Sequence, residues 1–350
     1  MWLWAIGSNR SGARRFFRPM QSCRTVPGVR REPHAASARF GALAAIALLA
    51  ALLVACGAPE SAPPAPAVQA PTEFNGERAF EDVVAQVDFG PRTAGSTANR
   101  RQSEFLASQL ESAAVQEVQI QEPDLNVVGT IPGDEPGVVV VGAHHDTKDE
   151  IPGFVGANDG ASGVAVVLEL ARSLPRSLDG PSIAIALFDA EEARGSRSFD
   201  EDGTRGSRQY VDYAEEGGLQ GSPPLDEIRA MVLFDLVGDC ELSIPLEGNS
   251  DPGLYALFAE AAIDANVAEL VGGEAGSPAP FEGTTGAILD DHIPFRDAGV
   301  PVVDLIDLMF GPGGTPGDYW HTDEDTLERV CADSLEAVGE AAVRAIPRIR

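Results

Sequence analysis

The chain has 350 residues, 44% of them hydrophobic, which suffices for the packed core of one large domain or two small ones. Its formal net charge is −29, from 54 acidic and 25 basic residues. A protein with this much negative charge repels nucleic acid and anionic membrane surfaces, which excludes nucleic acid as a partner. Four cysteines are too few for a disulfide framework in a chain of this length.

Residues 1–55 have the character of a signal peptide of the lipoprotein type. Eight arginines and one acid, Glu32, precede an apolar run from Gly41 to Ala55. The run has 15 residues, fewer than the ~20 that a membrane-spanning helix needs. It ends in the letters LVACG, which resemble a bacterial lipobox, where Cys56 would be lipidated. A plain signal peptide or a short anchor is the alternative, and translation starting at Met20 would shorten the basic segment.

Two regions follow the apolar run. Residues 56–72 are rich in Ala, Pro and Ser and hold too few large apolar side chains to bury a core, so they predict an extended tether. Residues 73–350 form the predicted catalytic domain. We expect an exported lipoprotein that is membrane-anchored only through lipid at Cys56 and faces the periplasm or the cell exterior.

Apolar runs alternate with helical patterns along the domain. The runs are apolar on both faces, which is typical of strands at the buried centre of a sheet. Their alternation with helices predicts an α/β sandwich whose sheet is mostly parallel. In chain order the pattern predicts helices at 77–87 and 99–110, a strand at 138–143, a helix at 163–174, strands at 182–188 and 230–236, a helix at 252–266, a strand at 300–306 and a helix at 327–346.

Acids and histidines gather where the predicted strands end. Because the carboxyl ends of parallel strands meet at one edge of a sheet, we expect these side chains to lie close together. The clusters are, in chain order, His144 to Asp146, Asp159, Glu191 with Glu192, Asp235, Asp290 to His292, and Trp320 with His321.

Histidine use points to a metal. Four of the five histidines lie in the domain, and all four belong to these acidic clusters. Mixed imidazole and carboxylate ligands favour zinc. Glu191 and Glu192 are adjacent and point in different directions, so one can bind the metal while the other acts on substrate as an acid or base.

Several motifs resemble the zinc aminopeptidase superfamily of the leucyl aminopeptidase type, and within it the glutaminyl cyclases of animals and bacteria. The resemblance covers most of the chain from about Phe74 to its end. The resemblance implies a three-layer sandwich with a central mixed sheet flanked by helices. The motifs are HHDTK from 144, GANDGASGVAVVLELARSL from 156, FDAEE from 188, GSRQY from 206, LFDLVGD from 233, DDHIPF from 290, VPVVDLI from 300 and YWHT from 319.

The resemblance implies two alternative ligand sets. In the cyclases one zinc ion is bound at the positions that match Asp159, Glu192 and His321. In the aminopeptidases two zinc ions share a bridging carboxylate, and His144 and Asp235 match the two further ligands. The cofactor is therefore one zinc ion for a cyclase and two for an aminopeptidase.

Three residues favour the cyclase. Asp290 matches the acid that cyclases link by hydrogen bonds to the catalytic Glu and to the Asp of the third strand. Trp320 matches an indole that walls a narrow pocket in cyclases, and Asp304 matches an acid of bacterial cyclases. By the same resemblance Glu191, Asp235 and Asp290 are catalytic, whereas Trp320, Asp304 and His292 belong to the substrate pocket.

The expected reaction converts the N-terminal glutamine of a peptide or protein to pyroglutamate with release of ammonia. Hydrolysis of N-terminal residues by a two-zinc aminopeptidase is the alternative. A binding lipoprotein with a degenerate site would lack the base or a ligand, yet Glu191 and the three core ligands are present. Cys240 and Cys331 either pair or stay as thiols, since their spacing leaves both open.

Overall fold

The structure is a computed structural model that describes residues 73–350. The predicted signal peptide at 1–55, the tether at 56–72 and Cys56 lie outside the described residues. In the part of the chain that the structure describes, none of the helices combines the length and the apolarity needed to cross a bilayer.

Residues 73–350 fold around one mixed sheet. The elements are α1 (Gly76–Val87), α2 (Thr97–Ser112), β1 (Gln116–Ile120), β2 (Val127–Ile131), β3 (Val138–His144), α3 (Ala161–Ser173), β4 (Ser182–Phe188), α4 (Phe199–Asp202), α5 (Arg205–Glu215), β5 (Ile228–Asp235), α6 (Pro252–Ala265), α7 (Val267–Leu270), α8 (His292–Asp297), β6 (Val302–Ile306) and α9 (Ala332–Ala345). The strand order is β1-β2-β4-β3-β5-β6. Strands β4, β3, β5 and β6 are parallel, whereas β1 and β2 are joined by antiparallel pairing at one side, which agrees with the predicted mixed, mostly parallel sheet.

The sheet divides the core into two layers because successive side chains of a strand point to opposite faces. Along β3, Val139 and Val141 pack with the side chains of α1, α3, α6 and α9. Val138 and Val140 pack on the other face with α5 and α8. The three-layer sandwich that the sequence predicts is confirmed.

Two glycines allow α3 to lie directly on the sheet. Gly160 caps the helix at a φ of 94°, and a Cβ there would lie 2.8 Å from the carbonyl oxygen of Asp146. A Cβ on Gly163 would lie 2.1 Å from the carbonyl oxygen of Phe234 in β5. The close approach holds the loop that carries Asp159 over the strand ends.

Six elements were not predicted, and several predicted bounds shift. The structure adds β1, β2, α4, α5, α7 and α8. The last helix begins at Ala332, because 327–329 form a separate 3₁₀ turn and Val330 is extended. Strand β6 begins at Val302, since Pro301 has no N–H to donate to a ladder. Cys240 and Cys331 form a disulfide bond.

Candidate metal centre

The predicted site residues meet at the edge of the sheet where the parallel strands end. His144 and Asp235 are the last residues of β3 and β5. The others lie in loops: Asp159 before α3, Glu191 and Glu192 after β4, Asp290 before α8 and His321 after β6. This edge is where open α/β sheets bind their ligands.

Asp159, Glu192 and His321 form the first group of possible metal ligands. His321 Nε2 lies 2.9 Å from Glu192 Oε1 and 3.4 Å from Asp159 Oδ2. One ligand atom from each residue lies within 4.8 Å of the other two. The structure thus brings together the three residues assigned to a single zinc ion.

His144 and Asp235 form a second group with the same Asp159. His144 Nε2 lies 3.2 Å from Asp159 Oδ1 and 3.3 Å from Asp235 Oδ1. Asp159 therefore presents Oδ1 to this group and Oδ2 to the group of His321. That is the arrangement of a bridging carboxylate, so the chain also has the ligands for a second ion.

Two buried carboxylate oxygens in these groups indicate whether a metal ion fits between them. Within the described residues, Asp159 Oδ2 and Asp235 Oδ1 are buried and have no hydrogen-bond partner. A buried carboxylate oxygen without a partner is costly in free energy, and a cation between the groups removes that cost. Imidazole and carboxylate are ligands that zinc accepts. The residues present therefore fit a divalent metal ion.

Asp146 holds the paired glutamates from behind. Its carboxylate accepts the backbone N–H of Glu191 at 3.0 Å and that of Glu192 at 3.2 Å. Its Oδ1 also lies 3.6 Å from His144 Nδ1. A carboxylate behind a ligand histidine orients the ring, so Asp146 organises both glutamates and His144 at once.

Asp325 likewise accepts backbone hydrogen bonds, here from the loop before α3. This residue was not predicted from the sequence. Its carboxylate accepts the backbone N–H of Asn158 at 2.7 Å and that of Asp159 at 3.0 Å. The guanidinium of Arg92, fully buried, donates to the carbonyls of Val155 and Gly156 in the same loop. The only sequence signal was the position of Asp325 just past the YWHT motif.

A cavity of about 460 Å³ opens onto both ligand groups. Glu191, Asp290 and Trp320 line it. Burial raises the pKa of Glu191 well above its ordinary value, and the charge of Glu192 adds to the effect. Burial, with the charge of Asp235, likewise raises the pKa of Asp290. Buried acids whose pKa is raised in this way suit acid and base catalysis.

His292 and Asp304 were predicted to belong to the substrate pocket, but neither side chain lines the cavity. Both are fully buried behind the wall that carries Asp290. In the register of β5 and β6, Asp304 pairs with Leu233, two residues before the strand end at Asp235. Its side chain therefore lies below the rim of the site.

The fold and the site define an α/β protein with carboxylate and histidine ligands for a metal at the ends of its parallel strands. Residues 126–346 match the family described as Peptidase family M28, and the chain belongs to that family. The resemblance read from the motifs is confirmed.

Similar proteins include both enzymes weighed above. Aminopeptidase YwaD of Bacillus subtilis (strain 168) is 30% identical over 216 residues, which are 60% of this chain and 41% of that protein. Glutaminyl-peptide cyclotransferase of Bos taurus is 30% identical over 241 residues, 61% of this chain and 63% of that protein. The chain thus spans less than two thirds of the length of these relatives.

A solved structure is similar over a larger share of the chain. The crystal structure of a glutaminyl cyclase from an Acidobacteriales bacterium matches with a TM-score of 0.68 and 31% identity. The match covers 82% of this chain and 99% of that one. The likeness therefore extends over most of this chain and nearly all of that one.

Proposed function

We propose that this protein is a glutaminyl-peptide cyclotransferase, which converts the N-terminal glutamine of peptides or proteins to pyroglutamate and releases ammonia. The observation that carries the proposal is the pair of buried acids, Glu191 and Asp290, in one cavity beside the ligand groups. The similarity to the Acidobacteriales cyclase supports it.

The proposed metal is zinc, held by Asp159, Glu192 and His321. When bound there, zinc supplies a Lewis acid that polarises the side-chain amide of the substrate glutamine. All three residues line the cavity, so a substrate in the cavity reaches the metal position.

Glu191 moves the proton in the proposed reaction. Its carboxylate accepts a proton from the α-amine as that nitrogen attacks the side-chain amide carbon. The same proton then goes to the amide nitrogen, which leaves as ammonia. One C–N bond forms, another breaks, and a five-membered lactam remains without consumption of water. The raised pKa of Glu191 suits a group that must both accept and return a proton near neutral pH.

A two-zinc aminopeptidase is the second candidate, and one observation favours it. His144 and Asp235 complete a second ligand group that shares Asp159. Peptide hydrolysis needs a water nucleophile, which a second metal helps to activate. The similarity to aminopeptidase YwaD is consistent with this candidate.

One experiment separates the two candidates. The purified protein is incubated with a glutaminyl peptide and, separately, a leucyl peptide, and ammonia, free amino acids and zinc per chain are measured. The cyclase releases ammonia from the first peptide, leaves every residue in place and binds about one zinc. Release of free leucine by a protein with two zinc ions would overturn the cyclase proposal.

Export and lipidation at Cys56 are also proposals. The apolar run that ends in LVACG supports them. The test is incorporation of labelled fatty acid into the wild type and into Cys56→Ser, together with fractionation of the cells. A Cys56→Ser variant that is still labelled and still found with the membranes would contradict the assignment.

A further inference from the structure

A second acidic cluster lies behind the cavity wall and consists of Glu247, His292 and Asp304. All three side chains are fully buried. His292 Nδ1 lies 3.4 Å from Asp304 Oδ2, and His292 Nε2 lies 3.5 Å from Glu247 Oε2. Within the described residues, the two ring nitrogens and both Asp304 oxygens have no hydrogen-bond partner. Buried polar atoms are costly unless they satisfy one another, so the three side chains belong to one chain of contacts.

Burial shifts the ionisation of two side chains in this cluster, those of His292 and Asp304. Burial lowers the pKa of His292 to about 3, and burial with the charge of Asp290 raises the pKa of Asp304 well above its ordinary value. A protonated Asp304 can donate to Nδ1 of the neutral ring, and Nε2–H then faces Glu247. The two carboxylates face opposite nitrogens of the ring, at 3.4 Å for Asp304 and 3.5 Å for Glu247.

Both carboxylate oxygens of Glu247 accept hydrogen bonds, one of them from the segment that lines the cavity. Oε1 accepts the backbone N–H of Ile288 at 2.7 Å. Oε2 accepts the backbone N–H of Asn249 at 2.8 Å and the hydroxyl of Ser250 at 3.0 Å. The side chain of Asn249 in turn donates to the carbonyl of Ile288 at 2.7 Å. Ile288 is therefore held at both its N–H and its C=O.

The segment that Glu247 contacts at Ile288 also carries Asp290, the proposed catalytic acid. Ile288 and Asp290 both line the cavity, and His292 follows two residues later. The backbone N–H of Asp304 donates to the Ser250 hydroxyl at 2.9 Å, which ties the assembly to β6. The wall around Asp290 is thus held at Ile288 by Glu247, and beyond Asp290 the side chain of His292 lies between Glu247 and Asp304.

We propose that Glu247, His292 and Asp304 are positioning residues that fix Asp290 relative to Glu191, and so set the rate of proton transfer and not the binding of substrate. The inference rests on the proposed cyclase activity for its readout. None of the three residues lines the cavity, so they act through Asp290.

The test compares kcat, KM and zinc content of the full-length wild type, Asp304→Ala and Asp304→Asn with a glutaminyl peptide. The alanine removes the carboxylate that faces His292 Nδ1, and we expect kcat to fall about tenfold to a hundredfold while KM changes less than about threefold. The asparagine can still donate to His292 Nδ1, so its kcat stays within about threefold of the wild type.

Glu169→Gln is the matched control. Glu169 is another fully buried acid, on α3, where it pairs with Arg78 outside the cavity lining. Its loss lowers the melting temperature and leaves kcat unchanged. Glu247→Gln is the second variant should Asp304→Ala fail to fold. A glutamine cannot accept from both Ile288 and Asn249, so kcat falls and KM does not.

Three outcomes would overturn the inference. The first is a wild-type kcat in both Asp304→Ala and Glu247→Gln. The second is an Asp304→Asn variant as slow as the alanine. The third is loss of a bound zinc from Asp304→Asn, which would make the cluster a metal site. Absence of ammonia from both the wild type and Glu169→Gln overturns the proposed function instead, and the inference with it.

Discussion

The indole of Trp320 stacks on the imidazole of His321, with ring centroids 3.9 Å apart and planes 17° from parallel. His321 has a φ of 52°, in the left-handed region that non-glycine residues rarely adopt. Such a backbone persists only where the surroundings hold it. Trp320 therefore both walls the cavity and holds the ring whose Nε2 faces Glu192 and Asp159.

We predict that Trp320→Ala weakens zinc binding as well as substrate binding. An aromatic pair contributes about 0.5–1.5 kcal/mol, so zinc affinity should fall about threefold to tenfold. Competition with a chelator measures the zinc affinity, and steady-state kinetics measure KM. Trp320→Phe keeps a stacking ring and serves as the control. An alanine variant with wild-type zinc affinity and a raised KM would limit Trp320 to the pocket wall.

Glu191→Gln tests the proton shuttle. The backbone N–H at this position still donates to Asp146, so the loop and the metal ligands keep their places. We expect full zinc content and a kcat reduced about 10²-fold to 10⁴-fold, the range for loss of a general acid–base. Glu192→Gln is the contrasting control, because it removes a ligand and should lose the metal. A Glu191→Gln variant with the kcat of the wild type would contradict the proposed role of Glu191 in proton transfer.

The edge strand β1 escaped prediction for a physical reason that comparison with the central strand β3 makes plain. Every residue of β3 is buried, so its sequence VVVVGAH is an apolar run. In β1 the sequence QEVQI leaves most residues exposed, and Glu117 has a φ of 54° that breaks the ladder. Polar, irregular edge strands protect a sheet from pairing with other chains and leave no periodic signal.

The site residues also divide into those that the sequence predicts and those that it does not. Most ligands were predictable because they lie at or soon after a strand end or just before a helix, whereas His321 was marked by its place in the YWHT motif. Asp325 was not, because it contacts Asn158 and Asp159 across 167 and 166 positions of chain. In a chain with 54 acids, nothing local marks the one that closes such a contact. The motif that contains Asp304 likewise carries no information on the register of β6, which decides its depth.

His144→Asn tests how many ions the two ligand groups hold. We expect one zinc per wild-type chain, bound by the group of Asp159, Glu192 and His321, and one zinc in the variant. Cyclisation should then fall less than about tenfold, since it needs no activated water. Metal analysis of the dialysed proteins gives the count, and His321→Ala, which should lose the ion, is the control. Two zinc ions in the wild type and one in His144→Asn would favour the aminopeptidase.

Asp291 couples the stability of this site to pH. Its Oδ1 accepts the hydroxyl of Ser207, and within the described residues its Oδ2 has no hydrogen-bond partner. Burial raises the pKa of Asp291 to about 7, although the Ser207 hydrogen bond opposes the shift. In the unfolded chain an aspartate ionises near pH ~3.9. The folded state therefore keeps a proton that the unfolded state has lost, and the stabilisation, complete below pH ~4, is lost as the pH rises through ~7.

We predict that the free energy of unfolding falls between pH ~4.5 and ~8 by about 3 kcal/mol more in the wild type than in Asp291→Asn. The asparagine keeps the acceptor for Ser207 and cannot ionise. Urea unfolding at several pH values gives the two curves, with zinc content checked at each pH because protonated ligands release metal. Asp88→Asn, which changes an exposed acid, should follow the wild type. Parallel curves for the wild type and Asp291→Asn would show that Asp291 ionises as readily in the folded protein as in the unfolded chain.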